Sequence, residues 1–397
     1  MGFCLTGELY LLLKGNLVLE FILFAFPRFD FLMVKNKKLE SFFLSIFILS
    51  CNDNKETSDN TQIIEFDFIQ TPARFEIPTT YDTISFTVFV KGDSNYYFSI
   101  FNIVAPDGAI LLDEKFSGIN PVLPSKSVFV ALIPDSDFKE VKIQKGNYHF
   151  DLISFDDEGV LIPSNASVKV VLKNGTLNFD EKRVLDFDFF IAEGAKEGLS
   201  AESAENDDEI IACLDRFNYY FTLQANIETG KINFQNINSK YAIIESEEEL
   251  GEMFSLSVNS VGSGIAVFFV GSLSGISDEP RGRSGGIPGS PFHGDSNSGI
   301  VIAVGGDPAE TSDSFCHEIG HYLGLFHTSD TFSDGTTIHD PISDTPECIL
   351  KTTQDISSCP ARTNLMFPQA NGLRNEITGG QAYVCRLSPL LRRKDDY

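Results

Sequence analysis

Apolar and polar residues alternate with a period of two through much of the chain's first half. Across residues 83–90, Ile84, Phe86, Val88 and Val90 alternate with Ser85, Thr87 and Phe89. Tyr148, Phe150 and Leu152 do the same against His149 and Asp151. A period of two places alternate side chains on opposite faces of a strand. Further strand-like runs lie at 63–68, 96–103, 109–112, 128–133 and 168–172. Turn signals separate them, including Pro106-Asp107-Gly108 and Asp156-Asp157-Glu158-Gly159. About seven or eight short strands over 61–180 predict an N-terminal antiparallel β-sandwich. His149 is the lone histidine of that stretch and reads as structural. With no catalytic cluster there, the sandwich reads as a spacer, a binding module or a pro-region.

The pattern changes after Arg183. A strand is expected at 184–191. An amphipathic helix follows over 206–226, with Ile210, Leu214, Phe217 and Phe221 on one face. Asp207, Asp208 and Glu209 suit the positive end of its dipole, and Gly230 is expected to stop it. Strands follow at 231–237, 264–270 and 299–304, with a Gly/Pro/Ser-rich stretch over 274–298. Strand–helix–strand order predicts an α/β domain over 181–397. The chain shows no internal repeat.

Residues 1–50 read as a signal region. Glu8, Lys14 and Glu20 interrupt the early apolar stretch, which makes it a poor spanning helix. A better signal begins at Met33, the expected start of translation. Lys35, Lys37 and Lys38 precede a short apolar run, and Ile48-Leu49-Ser50-Cys51 then gives way to polar residues. That ending resembles the lipobox of bacterial lipoproteins. The resemblance makes Cys51 the lipidated first residue of an exported, membrane-anchored chain, with 51–60 as its tether. An ordinary signal peptide and an N-terminal anchor helix are the alternatives, and each also places the remainder outside the cytoplasm.

Composition narrows the classes of partner. There are 56 acidic against 30 basic side chains, a net charge of −26 over 397 residues. So acidic a surface argues against a nucleic-acid partner. The chain holds six histidines and four methionines, so any clustering of either type is informative.

Clustering occurs at His317-Glu318-Ile319-Gly320-His321-Tyr322-Leu323-Gly324-Leu325-Phe326-His327. Thr311, Ser312, Asp313 and Ser314 offer N-caps to a helix there. His317 and His321, four apart, project from one helical face. Gly324 can take positive φ, end the helix and let the chain present His327. Three histidines suit Zn2+ and leave a position open for water, as at a catalytic zinc. Glu318 is placed to take that water's proton as general base and pass it to a leaving amine. Cys316 falls roughly 100° round the helix from His317 and is not expected to be a ligand.

This motif resembles that of the metzincin zinc endopeptidases, and Met366 in Asn364-Leu365-Met366 fits their Met-turn. The chain is most similar to the pappalysin (ulilysin-like) family, over roughly residues 184–390. Asp344-Thr345-Pro346 and Ile377-Thr378-Gly379-Gly380-Gln381, before a short last helix, also match. The resemblance implies a metzincin-like fold, a peptide or protein substrate, and a disulfide between Cys348 and Cys359. It also implies Ca2+ near Asp330, Asp334, Asp340 and Asp344, a carboxylate-rich loop that otherwise reads as solvated. His339 and His293 read as stray loop histidines. Two departures stand out. Pro368 occupies the position where the family usually has a Tyr, so an oxyanion donor must come from elsewhere or be absent. The Gly/Pro stretch lengthens the region of the substrate-pairing edge strand, for which 281–287 is the best candidate.

The expectation is a zinc-dependent endopeptidase with Glu318 as base. The rival is a non-catalytic surface lipoprotein that binds through its sandwich and keeps a degenerate protease-like domain. Retention of Glu318 counts against the rival, because a structural zinc has no use for a base.

Overall fold

The computed structural model describes residues 61–112, 124–276, 280–331, 337–348 and 358–394. The signal read at 33–51, with Cys51, and the loop residue Asp334 lie outside the described residues.

Nine strands form two facing sheets. They are β1 (Thr61–Gln70), β2 (Ala73–Thr79), β3 (Thr83–Gly92), β4 (Tyr97–Val104), β5 (Ile110–Leu112), β6 (Ser125–Lys126), β7 (Val128–Ile133), β8 (Gly146–Phe155) and β9 (Asn165–Asn174). One sheet runs β1-β9-β3-β7 and the other β2-β8-β4-β5, with β6 on β4. All of these pairs are antiparallel. Phe86, Val88 and Val90 of β3 face Phe98, Tyr148, Phe150 and Leu152 of the other sheet in one buried cluster. That is the inward half of the alternation. The outward half is not all solvated. Thr87 and Phe89 are buried too, as is every residue of β7. The second half of the chain covers that outer face, so both faces of β7 are apolar and its pattern is a continuous run. Strand β2 also alternates, Phe75 and Ile77 buried against exposed Arg74 and Glu76, but it is short and Pro78 interrupts it, and the sequence reading passed over it.

The second half builds a mixed sheet. Its elements are β10 (Arg183–Ala192), α1 (Asp208–Phe217), β11 (Ile227–Ile237), α2 (Glu247–Ser255), β12 (Ile265–Val270), β13 (Gly282–Ser284), β14 (Ile300–Ala303), α3 (Pro308–Tyr322), β15 (Ser329–Thr331), β16 (Thr337–His339), α4 (Gly379–Leu387) and β17 (Arg392–Arg393). Strand order is β11-β10-β12-β14-β13, with β17 on β10. The first four run parallel, and β13 alone on that path is antiparallel. Strands β10 and β12 are buried at every position. That follows from cover on both faces of a parallel sheet. Phe187, Phe189 and Phe269 pack against α1 and α3 on one face. Phe190, Phe268 and Val301 pack against Met253 and Phe254 of α2 on the other.

Several boundaries differ from the sequence reading. The helix expected over 206–226 is α-helical from Asp208 to Phe217, passes through a π segment, Asn218–Thr222, and is α-helical again over Leu223–Ala225. Asn226 at φ +56° ends it, not Gly230, which lies inside β11. Helix α3 starts earlier than expected. Asp307 is its N-cap, accepting from Ala309 N at 3.0 Å, with Pro308 in the first turn. Thr311, Ser312, Asp313 and Ser314 therefore sit inside the helix.

Buried Lys173 joins the two halves. It ends β9 and donates through Nζ to the carbonyls of Arg386 and Ser388, at 2.9 and 2.6 Å. These are end-of-helix carbonyls of α4, where a cation is favoured.

Candidate metal centre

Helix α3 and the turn after it bring three histidines together. His317 and His321 lie one turn apart on the buried face of α3. Leu323 closes the helix and Gly324 takes φ +108°, the left-handed region open to glycine. Leu325 N returns to Gly320 O at 2.9 Å, and His327 comes round to face the other two rings. Its Nε2 lies 3.2 Å from the Nε2 of both His317 and His321.

The outer ring nitrogens decide what those contacts are. His317 Nδ1 lies 2.8 Å from Leu365 O, and His321 Nδ1 lies 2.7 Å from Leu325 O. Carbonyls accept only, so both Nδ1 atoms carry the proton and both Nε2 atoms present lone pairs. His327 Nδ1 lies 3.0 Å from each carboxylate oxygen of Asp330, which accept likewise. In that tautomer the Nε2 of His327 turns a third lone pair toward those of His317 and His321. Burial, then Arg374 and the other imidazoles, holds His317 well below the usual histidine range. Burial and then His327 do the same for His321. Neutral, converging imidazoles fit a divalent cation. Tetrahedral zinc with bonds of about 2.0–2.1 Å sets its nitrogens about 3.3 Å apart. Among the described residues, this trio is the one group of three or more His, Cys, Asp or Glu side chains placed to hold a metal.

Glu318 lies buried beside the trio. Burial pushes its carboxyl up to about 7, against the pull of the Ser284 backbone N–H and of Arg374 and Arg283. Edge strand β13 crosses directly above it. A Cβ on Gly282 would fall 2.8 Å from Glu318 Cγ. The strand lies within the 281–287 candidate stretch, but that Gly282 admits Glu318 is visible only in three dimensions.

Met366 is packed beneath the helix. A Cβ on Gly320 would lie 2.5 Å from Met366 Sδ, so the glycine inside the motif makes room for the thioether. The carbonyl just before Met366, that of Leu365, orients His317. Thr328 N holds the Met366 carbonyl at 3.1 Å. Arg374, which no motif flags, braces the same turn. Its Nη2 donates to Phe367 O at 2.7 Å, while its own carbonyl accepts from Arg216 at 2.7 Å. Arg216 pairs in turn with Asp313 of α3 at 2.6 Å. Pro368 has neither an N–H nor a hydroxyl to offer the site.

The acidic loop divides its tasks. Asp330 serves His327. Buried Asp340 accepts from Thr345, and Asp344 accepts from Gly380 N at 3.0 Å. Asp330, Asp340 and Asp344 do not form a metal-holding group among the described residues. The calcium expectation therefore gains no support from them. Cys348 and Cys359 form a disulfide, their Cα atoms 5.5 Å apart, and pack with Ala361 and Phe367. Cys213, Cys316 and Cys385 are free and buried, and burial pushes each thiol up. His339 meets Ser329 Oγ at 2.8 Å and His293 meets Gly262 O at 3.2 Å, so neither joins the trio.

Asp330→Ala is expected to weaken binding of a divalent metal at the trio by about 10–100-fold, the usual scale for losing a carboxylate that orients a metal-binding histidine. Competition with a chromophoric chelator measures it. Unchanged affinity would mean that Asp330 does not orient the ligand.

No family model matches the chain. No curated protein matches it either. Among solved structures, it is similar to metalloproteinase-II from Bacteroides fragilis at 11% identity and a TM-score of 0.35, over 55% of this chain and 61% of that one. A structure of the infectious bursal disease virus Gx strain aligns at 11% identity and a TM-score of 0.19, over 33% of this chain and 38% of that one. The chain thus spans less than two thirds of either. With so little identity and overlap, neither likeness bears on what the chain does.

Proposed function

We propose that the chain is a zinc-dependent endopeptidase of the metzincin type, most like the pappalysins. The observation that carries this reading is the convergence of three Nε2 lone pairs beside a buried carboxylate. A structural zinc is closed by four protein ligands, whereas a catalytic zinc keeps three and an open position. Here the trio is His317, His321 and His327, and Glu318 stands outside it. When bound, zinc would supply Lewis-acid polarisation of a peptide carbonyl and lower the pKa of water. The chain's own residues supply the remainder. The Glu318 carboxylate accepts the water's proton and delivers it to the leaving amine. Leu365 O, Leu325 O and Asp330 hold the three rings in the ligating tautomer. Strand β13 ends the sheet path, and an extended peptide can add to a sheet edge, which supports peptide or protein as the substrate class.

Pro368 favours a second reading, in which the fold is kept without turnover. Zinc content together with chelator-sensitive cleavage of a mixed peptide library separates the two. One equivalent of zinc and cleavage abolished by chelation is the expected result. Bound zinc with no cleavage anywhere in the library would favour the non-catalytic reading.

A further inference from the structure

The second half of the chain reaches Glu318 through a segment that has little structure of its own. Residues 285–299 connect β13 to β14 without helix or strand. A stretch of that kind is held by what it touches. One hold comes from α3, where Tyr322 OH donates to Ser290 O at 2.8 Å. Two more come from elsewhere in the second half, where Gly294 N donates to Ser257 Oγ at 2.8 Å and His293 Nε2 lies 3.2 Å from Gly262 O. A further set comes from the sandwich. Phe292 sets its ring edge-on to Phe89 of β3, centroids 5.0 Å apart at 73°, against Val128 and Val130 of β7. The Lys169 ammonium lies 5.1 Å from the Phe292 ring centre. Asn297 Nδ2 donates to Val128 O at 3.3 Å and to Ser125 Oγ at 3.2 Å. The sandwich also abuts the turn between the second and third histidines. A Cβ on Gly324 would lie 3.1 Å from Leu132.

We propose that the β-sandwich is a positioning element of the active site. Through Phe292 and Asn297 it fixes the 285–299 loop, and so holds edge strand β13 at contact distance over Glu318. This rests on the endopeptidase reading for its consequence in turnover, but not for its structural content. Strand β13 is three residues long and pairs on one side with β14. So short a strand has few ladder bonds of its own, so the loop that follows it bears on its placement beside the ion pairs of Arg281 with Glu310 and of Arg283 with Glu247. Phe292 and Asn297 are positioning residues, since neither lies among the groups that meet Glu318. The outward burial of Phe89 has the same origin. In a free-standing sandwich that ring would face water.

The test uses the full chain, with Phe292→Ala, Asn297→Ala and Phe292→Leu compared with wild type. Amide exchange by mass spectrometry over 282–284 and over β12 is read beside zinc content and peptide-cleavage rates. In Phe292→Ala, exchange in β13 is expected to rise about tenfold or more while β12 stays protected and zinc stays bound. The rate constant kcat is expected to fall about tenfold, with Phe292→Leu recovering most of both effects. Should Phe292→Ala fail to fold, Asn297→Ala, which removes no core side chain, carries the same expectation at smaller amplitude. Unchanged β13 exchange in the folded variants would overturn the proposal. So would a rise in turnover, which would mark the sandwich as a restraining pro-region. If wild type cleaves no peptide, the endopeptidase reading fails, and the exchange measurement still decides whether the sandwich positions β13.

Discussion

Glu318→Gln is expected to keep zinc bound and to lose turnover by at least ~10²-fold, the scale of general acid–base catalysis. The substitution preserves size and polarity, which matters at a site this tightly bounded. Gly282 leaves room for the side chain with nothing to spare, since even a methyl group on it would lie 2.8 Å from Glu318 Cγ. A Gln oxygen can still face the Ser284 N–H that bears on the wild-type carboxylate. What Gln cannot do is accept the proton. The three ligand rings keep their own carbonyl and carboxylate partners, none of which is Glu318. Initial rates on a peptide that the wild type cleaves, with zinc measured on the same samples, give the answer. Wild-type rates with zinc bound would remove Glu318 from the mechanism and leave the metal site standing.

Removing a ligand should cost more. On the proposed reading, His317→Ala, His321→Ala and His327→Ala are each expected to lose zinc, because the trio supplies every protein ligand. The Lewis-acid contribution is worth several kcal/mol, so turnover should fall on the order of 10³-fold or further. The three variants should differ in stability. His317 and His321 are buried, and their loss leaves the Leu365 and Leu325 carbonyls without the donors they now have. An unsatisfied buried acceptor costs about 1–3 kcal/mol. His327 is partly exposed and bonds to an exposed carboxylate, so its removal should be the mildest for the fold. His327→Ala is therefore the cleanest separation of metal binding from folding. Full zinc occupancy in any of the three, measured by elemental analysis on folded protein, would strike that residue from the ligand set.

Features that depend on near neighbours were legible along the chain. Period-two alternation marked most strands, because side chains on a strand must choose between two faces. The spacing of His317 and His321 set them on one helical face, and Gly324 supplied the positive φ that lets His327 turn back. Strand–helix–strand order after residue 183 indicated an α/β arrangement, and the sheet is indeed largely parallel. Packing settled features that spacing along the chain leaves open. The N-cap of α3 fell to Asp307, because helix bounds follow packing as well as capping chemistry. The proton position on the His317 ring was set by the carbonyl of Leu365, 48 residues away. Asp330 lies only three residues from His327, yet the fold of the turn, not that spacing, chose it among the loop's acids. The burial of Phe89 waited on Phe292, a partner about two hundred residues later. Periodicity reports which face of an element is apolar. Which distant surface comes to cover that face is a matter of how the elements pack, and the placement of β13 over Glu318 is of that kind.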